Sequence, residues 1–480
     1  MKHLRINPLF AVVLLLSPLI MYGLTLLLPT FGDSGYFTTP DYDYGNKFSD
    51  RLIPRYTYWR PWDGLIGYVL SLKPLWFPTF NHIIVYLAHL GATFTVWHIA
   101  RQLCFKPFAC NMAALYFFIS PAMLGTVLGI DSPNQAYSSF WGLLALLTYL
   151  RLHGWRRIVV WLLCATIGTL AKENAIVFFV IPQIVAFGFG RITWKQAWRD
   201  TLWAAVVVAA YFSARWLLTT DVVFINDEYF ENTWARKLKN IGVFLGLTWL
   251  PLDYVSLVHP PCRNIPIVLA TLLLSMPFMV ALLAGNLRRC RTLPFAALAL
   301  SLLAGLAVYS LDDPASPHLV TLFTAMHPYA GLGIAALMVG YMVHHSSHPL
   351  LLKRLLPLFV LSCLFIDWHH WQKSYESGLT GKRMAQNILA HTPRPMDRVF
   401  LIIVYDDAPK YSSFCVIPRD AFGRGKSVCW LNGYQWPKHI EIADLEANEA
   451  YQIDRIADKA VADHYEAVWL VQGETANVIR

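Results

Sequence analysis

Apolar runs of about twenty residues recur along most of this chain, and a run of that length is what crosses a hydrocarbon layer of about 30 Å. They lie at 8–28, 80–100, 108–125, 134–150, 157–172, 174–190, 200–218, 264–285, 293–310, 327–343 and 354–368. Inside lipid no water is available to the backbone, so each run must close its own hydrogen bonds as a helix. Composition agrees. Charged residues make up only 14% of the 480 residues, against about 25% in soluble proteins, and the mean hydropathy is +0.43. The 18 tryptophans suit the boundary between membrane and water, where a ring can be apolar on one side and wet on the other.

The basic residues decide which way the runs point. The net charge of +9 is gathered in short clusters at 101–106, 151–157, 191–199, 288–291 and 353–354. They follow every second apolar run, the positive-inside pattern of cytoplasmic loops. This distribution argues against nucleic acid as a partner. The run at 8–28 follows a short basic start but is longer than a signal-peptide core and lacks a small-residue cleavage site, so it reads as a retained first span. The fold class expected is an α-helical polytopic membrane protein of about eleven spans in the bacterial inner membrane, N-terminus cytoplasmic and C-terminus periplasmic. The stretch 235–258 is apolar but carries Lys237, Lys239, Pro251 and Asp253. It reads as an interfacial or re-entrant helix on the outer side.

Two regions fall outside the membrane on this topology. The first outer loop, 29–78, is rich in Asp, Tyr, Arg and Trp, and its part 59–76 reads as a helix lying along the surface. From about residue 370 charge returns to soluble levels. Strands are expected at 399–405 and 467–471, with an amphipathic helix over 442–462 between them. The domains are therefore 1–369, a membrane module, and 370–480, a small periplasmic α/β domain. Cys104, Cys110, Cys164, Cys290 and Cys363 sit in or beside apolar runs and read as buried small residues. Cys415 and Cys429 could form a disulfide in an oxidising compartment.

Carboxylates are scarce in the membrane part, which makes their positions informative. Asp33 follows the first span, Asp131 sits in the next outer loop, and Lys172 and Glu173 lie between two closely spaced runs. All fall on the outer side, where a carboxylate at a span end can take a proton from a hydroxyl nucleophile. They also read as solvated loop charges, above all Asp41, Asp43 and Asp50, and Lys172 with Glu173 as an interfacial ion pair. Arg51, Arg55 and Arg60 alternate with Tyr56, Tyr58, Trp59 and Trp62. The planar fork of arginine matches phosphate oxygens, although a surface helix held by Trp and Arg has the same composition. Asp312, Asp313, His318 and His327 cluster in the last outer loop with a spacing that matches no metal motif.

The order of several short motifs resembles the polytopic GT-C glycosyltransferases. The resemblance is closest to the protein O-mannosyltransferase and TMTC-like branch. Tyr58, Trp59, Arg60 and Pro61 lead into Asn81, His82 and His89. Asp131 follows the run ending at Pro121, Lys172-Glu173-Asn174 comes next, and Trp249, Pro251, Asp253 and Tyr254 close the series. The likeness covers about residues 1–345. It implies transfer of a sugar from a polyprenyl-phosphate donor to a hydroxyl of a lipid, polysaccharide or protein on the periplasmic side. Asp33 would be the catalytic base and Asp131 a second catalytic carboxylate, near the carrier phosphate. Lys172, Glu173, Arg60 and His327 would meet the donor phosphate, and Tyr58, Trp59, Asp41 and Asp43 the sugar or acceptor. Inversion follows from in-line attack. No cofactor is demanded; a divalent cation is the alternative left open. The chain departs from the family at Ser120, Pro121 and Gly125, at Asp33-Ser34, and near Met326 to Gly331, where an arginine is missing. Two other readings compete: a transporter or flippase for a lipid-linked saccharide, and a non-catalytic scaffold of the same fold. Visible repeats and charges within the spans would favour transport. The missing family residues would favour the scaffold.

Overall fold

The computed structural model describes residues 59–62, 64–65, 77–128, 133–218, 234–253, 256, 264–285, 290–307, 329–392, 396–405, 428, 431 and 439–480. The expected first span and most of the first outer loop lie outside these residues.

The membrane module is a bundle of helices: α1 (Phe77–Gln102), α2 (Pro107–Ile119), α3 (Leu124–Val127), α4 (Pro133–Arg151), α5 (Gly154–Ala171), α6 (Ile181–Gly188), α7 (Trp194–Leu218), α8 (Trp234–Trp249), α9 (Ile265–Ala284), α10 (Thr292–Ala307), α11 (Tyr329–His345) and α12 (Pro349–Ala390). Five described helices are long and apolar enough to cross a membrane, and α2 with its continuation to Val127, bent by 47°, makes a sixth when the two pieces are counted as one span. The bend has a visible cause. Pro121 cannot extend α2, and Ser120 turns to extended backbone before a short 3₁₀ turn restarts the helix. Proline in the first turn also starts α2, α6, α9 and α12, where its missing N–H costs nothing.

Lipid supplies no hydrophobic drive for helices to associate, so close packing and polar contacts must hold them. A Cβ on Gly142 of α4 would lie 2.2 Å from the ring of Phe178, and one on Gly340 of α11 would lie 2.9 Å from Ala113 of α2. His89 of α1 is fully buried. Its Nε2 donates to the Phe118 carbonyl at 3.1 Å, so Nδ1 is left to accept from the Tyr329 hydroxyl at 3.0 Å. One motif histidine thus joins α1, α2 and α11. Helix α7 is mostly lipid-facing and buries only Ala197, Asp200, Ala204, Tyr211 and Arg215. At one end Asp200 takes Arg157 at 2.7 Å and the Tyr149 hydroxyl at 2.8 Å.

Basic loops collect at one end of the bundle. Arg191 reaches Gln102 and Cys104, the Lys106 amide meets His344, and Tyr341 meets the backbone of Arg291. Cys104 is exposed, with φ of 62°, which corrects the expectation of a buried apolar residue. The chain turns sharply there, and the thiol sits against the Arg191 guanidinium.

Helix α12 has 42 residues, about 63 Å at 1.5 Å per residue. It runs without a break through residue 370, the boundary expected from the sequence. Its last turns supply Met384, Ala385 and Ile388 to the core of the soluble region. That region is a four-stranded sheet in the order β2-β1-β3-β4, with β1 (Arg398–Tyr405), β2 (His439–Glu446), β3 (Ala467–Gln472) and β4 (Thr475–Val478). β1 pairs in parallel with β2 and β3, and β4 is antiparallel to β3. The period of two in β1 sorts the two faces. Val399, Leu401 and Ile403 pack with the end of α12, whereas Phe400, Ile402 and Val404 pack with α13 (Ile453–Ala462).

The helix expected over 442–462 needs correction. Its first residues belong to β2, and a 3₁₀ turn, Ala447–Gln452, separates them from α13. Glu446 and Glu449 form a capping box there, and this local bonding starts a new helix. The alternation of Ile440 and Ile442 with polar residues fits a strand, the three-residue step from Ile442 to Leu445 fits a helix, and pairing with β1 decided it.

Substituting Val for Gly142 should lower thermal stability in detergent by about 1–3 kcal/mol, the usual cost of overpacking. Unchanged melting would show that the contact with Phe178 is loose.

Candidate functional site

At the end of the bundle remote from the basic loops, α5 stops at Ala171 and Lys172 takes extended backbone, with φ of −157°. The chain then turns back through the 3₁₀ segment Glu173–Phe179. This places Glu173 on the rim between two apolar segments. Arg60 meets it side-on. Its Nε lies 3.1 Å from both carboxylate oxygens and its Nη2 lies 2.9 Å from Oε2. The side chains are 20% and 28% exposed, so water reaches the pair. Burial pushes the Glu173 carboxyl up, but the Arg60 guanidinium and the nearby Lys172 charge outweigh it and hold it below the ordinary value of 4.5.

Helix α7 closes the other side. The Trp59 ring stacks on Tyr211 at 5.6 Å and 14°. Arg215, one turn further, is buried, and its charge acts on the Tyr211 phenol together with those of Arg60 and Glu173. A buried arginine on a lipid-facing helix is expensive and marks a polar site. Among the described residues the cluster therefore holds three cations, Arg60, Lys172 and Arg215, against the single carboxylate of Glu173. The planar arginine forks match carboxylate and phosphate oxygens alike.

The structure thus gathers Trp59, Arg60 and Glu173, with Lys172 beside them. Asp33, Asp41, Asp43, Tyr58, Asp131 and His327 lie outside the described residues, as do Asp312, Asp313, His318, Cys415 and Cys429. Tyr211 and Arg215 went unnoticed in the sequence because their helix reads as a plain span. The signal was there: an arginine one turn after a tyrosine near the end of an apolar run.

A second polar group is built on Asp253, which the sequence singled out without its partners Ser256 and His369. Asp253 is fully buried after α8 and accepts from the Ser256 amide at 3.1 Å, the Ser256 hydroxyl at 2.9 Å and His369 Nδ1 at 2.6 Å. It fastens the exit of α8 to α12. The Tyr116 hydroxyl bonds the Thr248 carbonyl at 2.5 Å, fixing α8 to α2. Among the described residues no three His, Cys, Asp or Glu side chains gather as a metal site would require.

The fold has known counterparts. Crystal structures of ArnT from Cupriavidus metallidurans overlay 98% of this chain. The apo form has a TM-score of 0.53 over 96% of ArnT, and the form bound to undecaprenyl phosphate 0.54 over 97%, both at 12% identity. A more distant likeness is the oligosaccharyltransferase AglB from Archaeoglobus fulgidus, with a TM-score of 0.44, 12% identity, and coverage of 96% of this chain and 69% of AglB. No family model matches the chain, and no curated protein matches it by sequence. The helical membrane fold expected from the motifs is thus one that this chain shares with ArnT. The likeness is one of fold and does not place the chain in the O-mannosyltransferase and TMTC-like branch.

Because Glu173 is held below 4.5, its pairing adds stability above that pH, and the contribution is lost as pH falls through the folded value. The fall in melting temperature from pH 6 to pH 4 should be smaller in Glu173→Gln than in the wild type. An identical fall in both would remove Glu173 from the account.

Proposed function

We propose that this chain is a membrane glycosyltransferase that moves a sugar from a polyprenyl-phosphate donor to a hydroxyl of a lipid, glycan or protein at the periplasmic face. The observation that carries the reading is the cation-rich cluster of Arg60, Lys172 and Arg215 around Glu173, set on the rim of a GT-C fold. The ArnT structure with undecaprenyl phosphate bound supports a lipid-phosphate ligand for this fold.

The chemistry fits that rim. Glycosyl transfer passes through an oxocarbenium-like state, and charge builds on the leaving phosphate as the C1–O bond breaks. Fixed cations in a half-dry cleft stabilise that charge. Arg215 takes the place of the arginine that the sequence lacks near His327. Asp33 is assigned as the base that takes the acceptor proton, with Asp131 as the second acidic residue. The placement of Trp59 on Tyr211 gives the donor an aromatic wall beside the phosphate seat.

Each of Arg60→Gln, Lys172→Gln and Arg215→Gln should lower sugar transfer from a polyprenyl-phosphate donor by about 10²–10³-fold with the fold intact by thermal melting. Asp33→Asn should do the same without weakening carrier binding. Mass spectrometry of surface glycans and lipid-linked sugars should differ between a strain lacking the protein and its parent. Identical profiles under expressing conditions, with no carrier binding in vitro, would overturn the reading.

A further inference from the structure

The end of the bundle remote from the candidate site carries cations almost without counter-charge. The loops that the positive-inside pattern assigns to it are 101–107, 151–157, 189–200, 285–292 and 344–354. Together with residues 1–7 they contain a single carboxylate, Asp200. That carboxylate is already held by Arg157, Arg199 and Tyr149.

Loop cations that spread into water attract any anionic surface weakly and alike. Here three of the loops are pinned together. The Lys106 amide donates to His344 Nδ1 at 2.9 Å, which leaves the imidazole proton on Nε2. The Arg291 amide donates to the Tyr341 hydroxyl at 3.1 Å. The Tyr341 and His345 rings lie 4.6 Å apart, as do those of His344 and His345. Lys106 and Arg291 are exposed, and the two histidines are half-buried. The charges act on one another across this corner. Burial, His345 and Lys106 hold His344 below its ordinary value of 6.5, and burial, Arg291 and Lys106 do the same to His345. Gathering cations costs self-repulsion, a cost that a bound anion removes.

The surroundings favour a lipid phosphate over a soluble one. The loop continues through Ser346, Ser347 and His348 into α12, a helix long and apolar enough to cross the membrane. In its first turns Leu350 and Leu351 are 70% and 44% exposed, and Lys353 Nζ stands 5.2 Å from the centre of the Phe108 ring. Bare leucines beside a lysine offer an acyl chain a wall next to a headgroup seat.

We propose that Lys106, Arg291, His344 and His345 form a seat for the phosphate of an acidic phospholipid, with Lys353 and the start of α12 along its acyl side. The lysine and arginine supply charge, and the imidazole N–H groups donate to phosphate oxygens. The seat is separate from the rim around Glu173 and does not depend on what the protein transfers.

The test uses the full-length protein in detergent micelles doped with phosphatidylglycerol or phosphatidylcholine. Retained lipid is read by native mass spectrometry and affinity by titration. Phosphatidylglycerol should be retained and phosphatidylcholine lost. Lys106→Gln and Arg291→Gln should each weaken phosphatidylglycerol about fivefold, and the two together about thirtyfold. Arg156→Gln with Lys195→Gln removes two cations from the same end but outside the seat, and should weaken it less than about twofold. Phosphatidylglycerol is a diester whose charge is constant between pH 6 and pH 8. Its binding should tighten over that fall in pH as the imidazoles gain charge, and His345→Gln should remove most of the gain. If the Lys106 and Arg291 double variant does not fold, the single variants carry the comparison. Equal losses inside and outside the seat would reduce it to diffuse surface charge and overturn the proposal, as would equal retention of the two lipids. Displacement of the lipid by millimolar inorganic phosphate would assign the seat to a soluble anion and overturn the lipid reading.

Discussion

An ionised side chain in a hydrocarbon layer survives only where it is paired or touches water, and the layout of this protein follows from that constraint. Asp200 is buried at the end of α7 near the basic loops, where it is held by Arg157 and Tyr149. Arg215, toward the other end of the same helix, lies in the charged rim with Arg60 and Glu173. A helix that faces lipid along most of its length is thus fixed at its two ends, and its apolar middle needs no specific partner. The same polar contacts that hold the bundle together define its candidate site.

The rim cluster and the Asp253–His369 contact lie on different helices but share a logic. Each joins a segment that leaves the bundle to one that crosses it: the Trp59–Arg60 segment to the end of α5, and the exit of α8 to α12. Helix α12 then continues into the soluble sheet, where its last turns form part of the core. The membrane module and the soluble core thus share one continuous helix. Thr248 ties α8 to Tyr116, just before the break at Pro121, so the soluble region, α8 and the bent α2–α3 pair are joined through covalent or hydrogen-bonded steps. The Arg60–Glu173 pair is partly wet, so it loses less hydration than an ion pair sealed in a core would.

The sequence by itself determined the membrane class, the helical bundle and the end at which charge could matter, because hydropathy and basic clusters respond directly to the bilayer. It also pointed to Lys172 and Glu173 through their place between two apolar runs, and to Arg60 through its alternation with aromatic residues and the family resemblance. Tertiary structure decided the partners. Glu173 pairs with Arg60, more than a hundred residues away in the chain, rather than with its neighbour Lys172. Arg215 joins them from a helix whose sequence reads as a lipid-facing span. The segment over 440–446 became a strand because β1 offered it a parallel edge, an outcome that its own pattern could not select. Apolar periodicity reports how a segment meets its solvent, whereas the pairing of distant charges and strands depends on which faces the folded chain brings together.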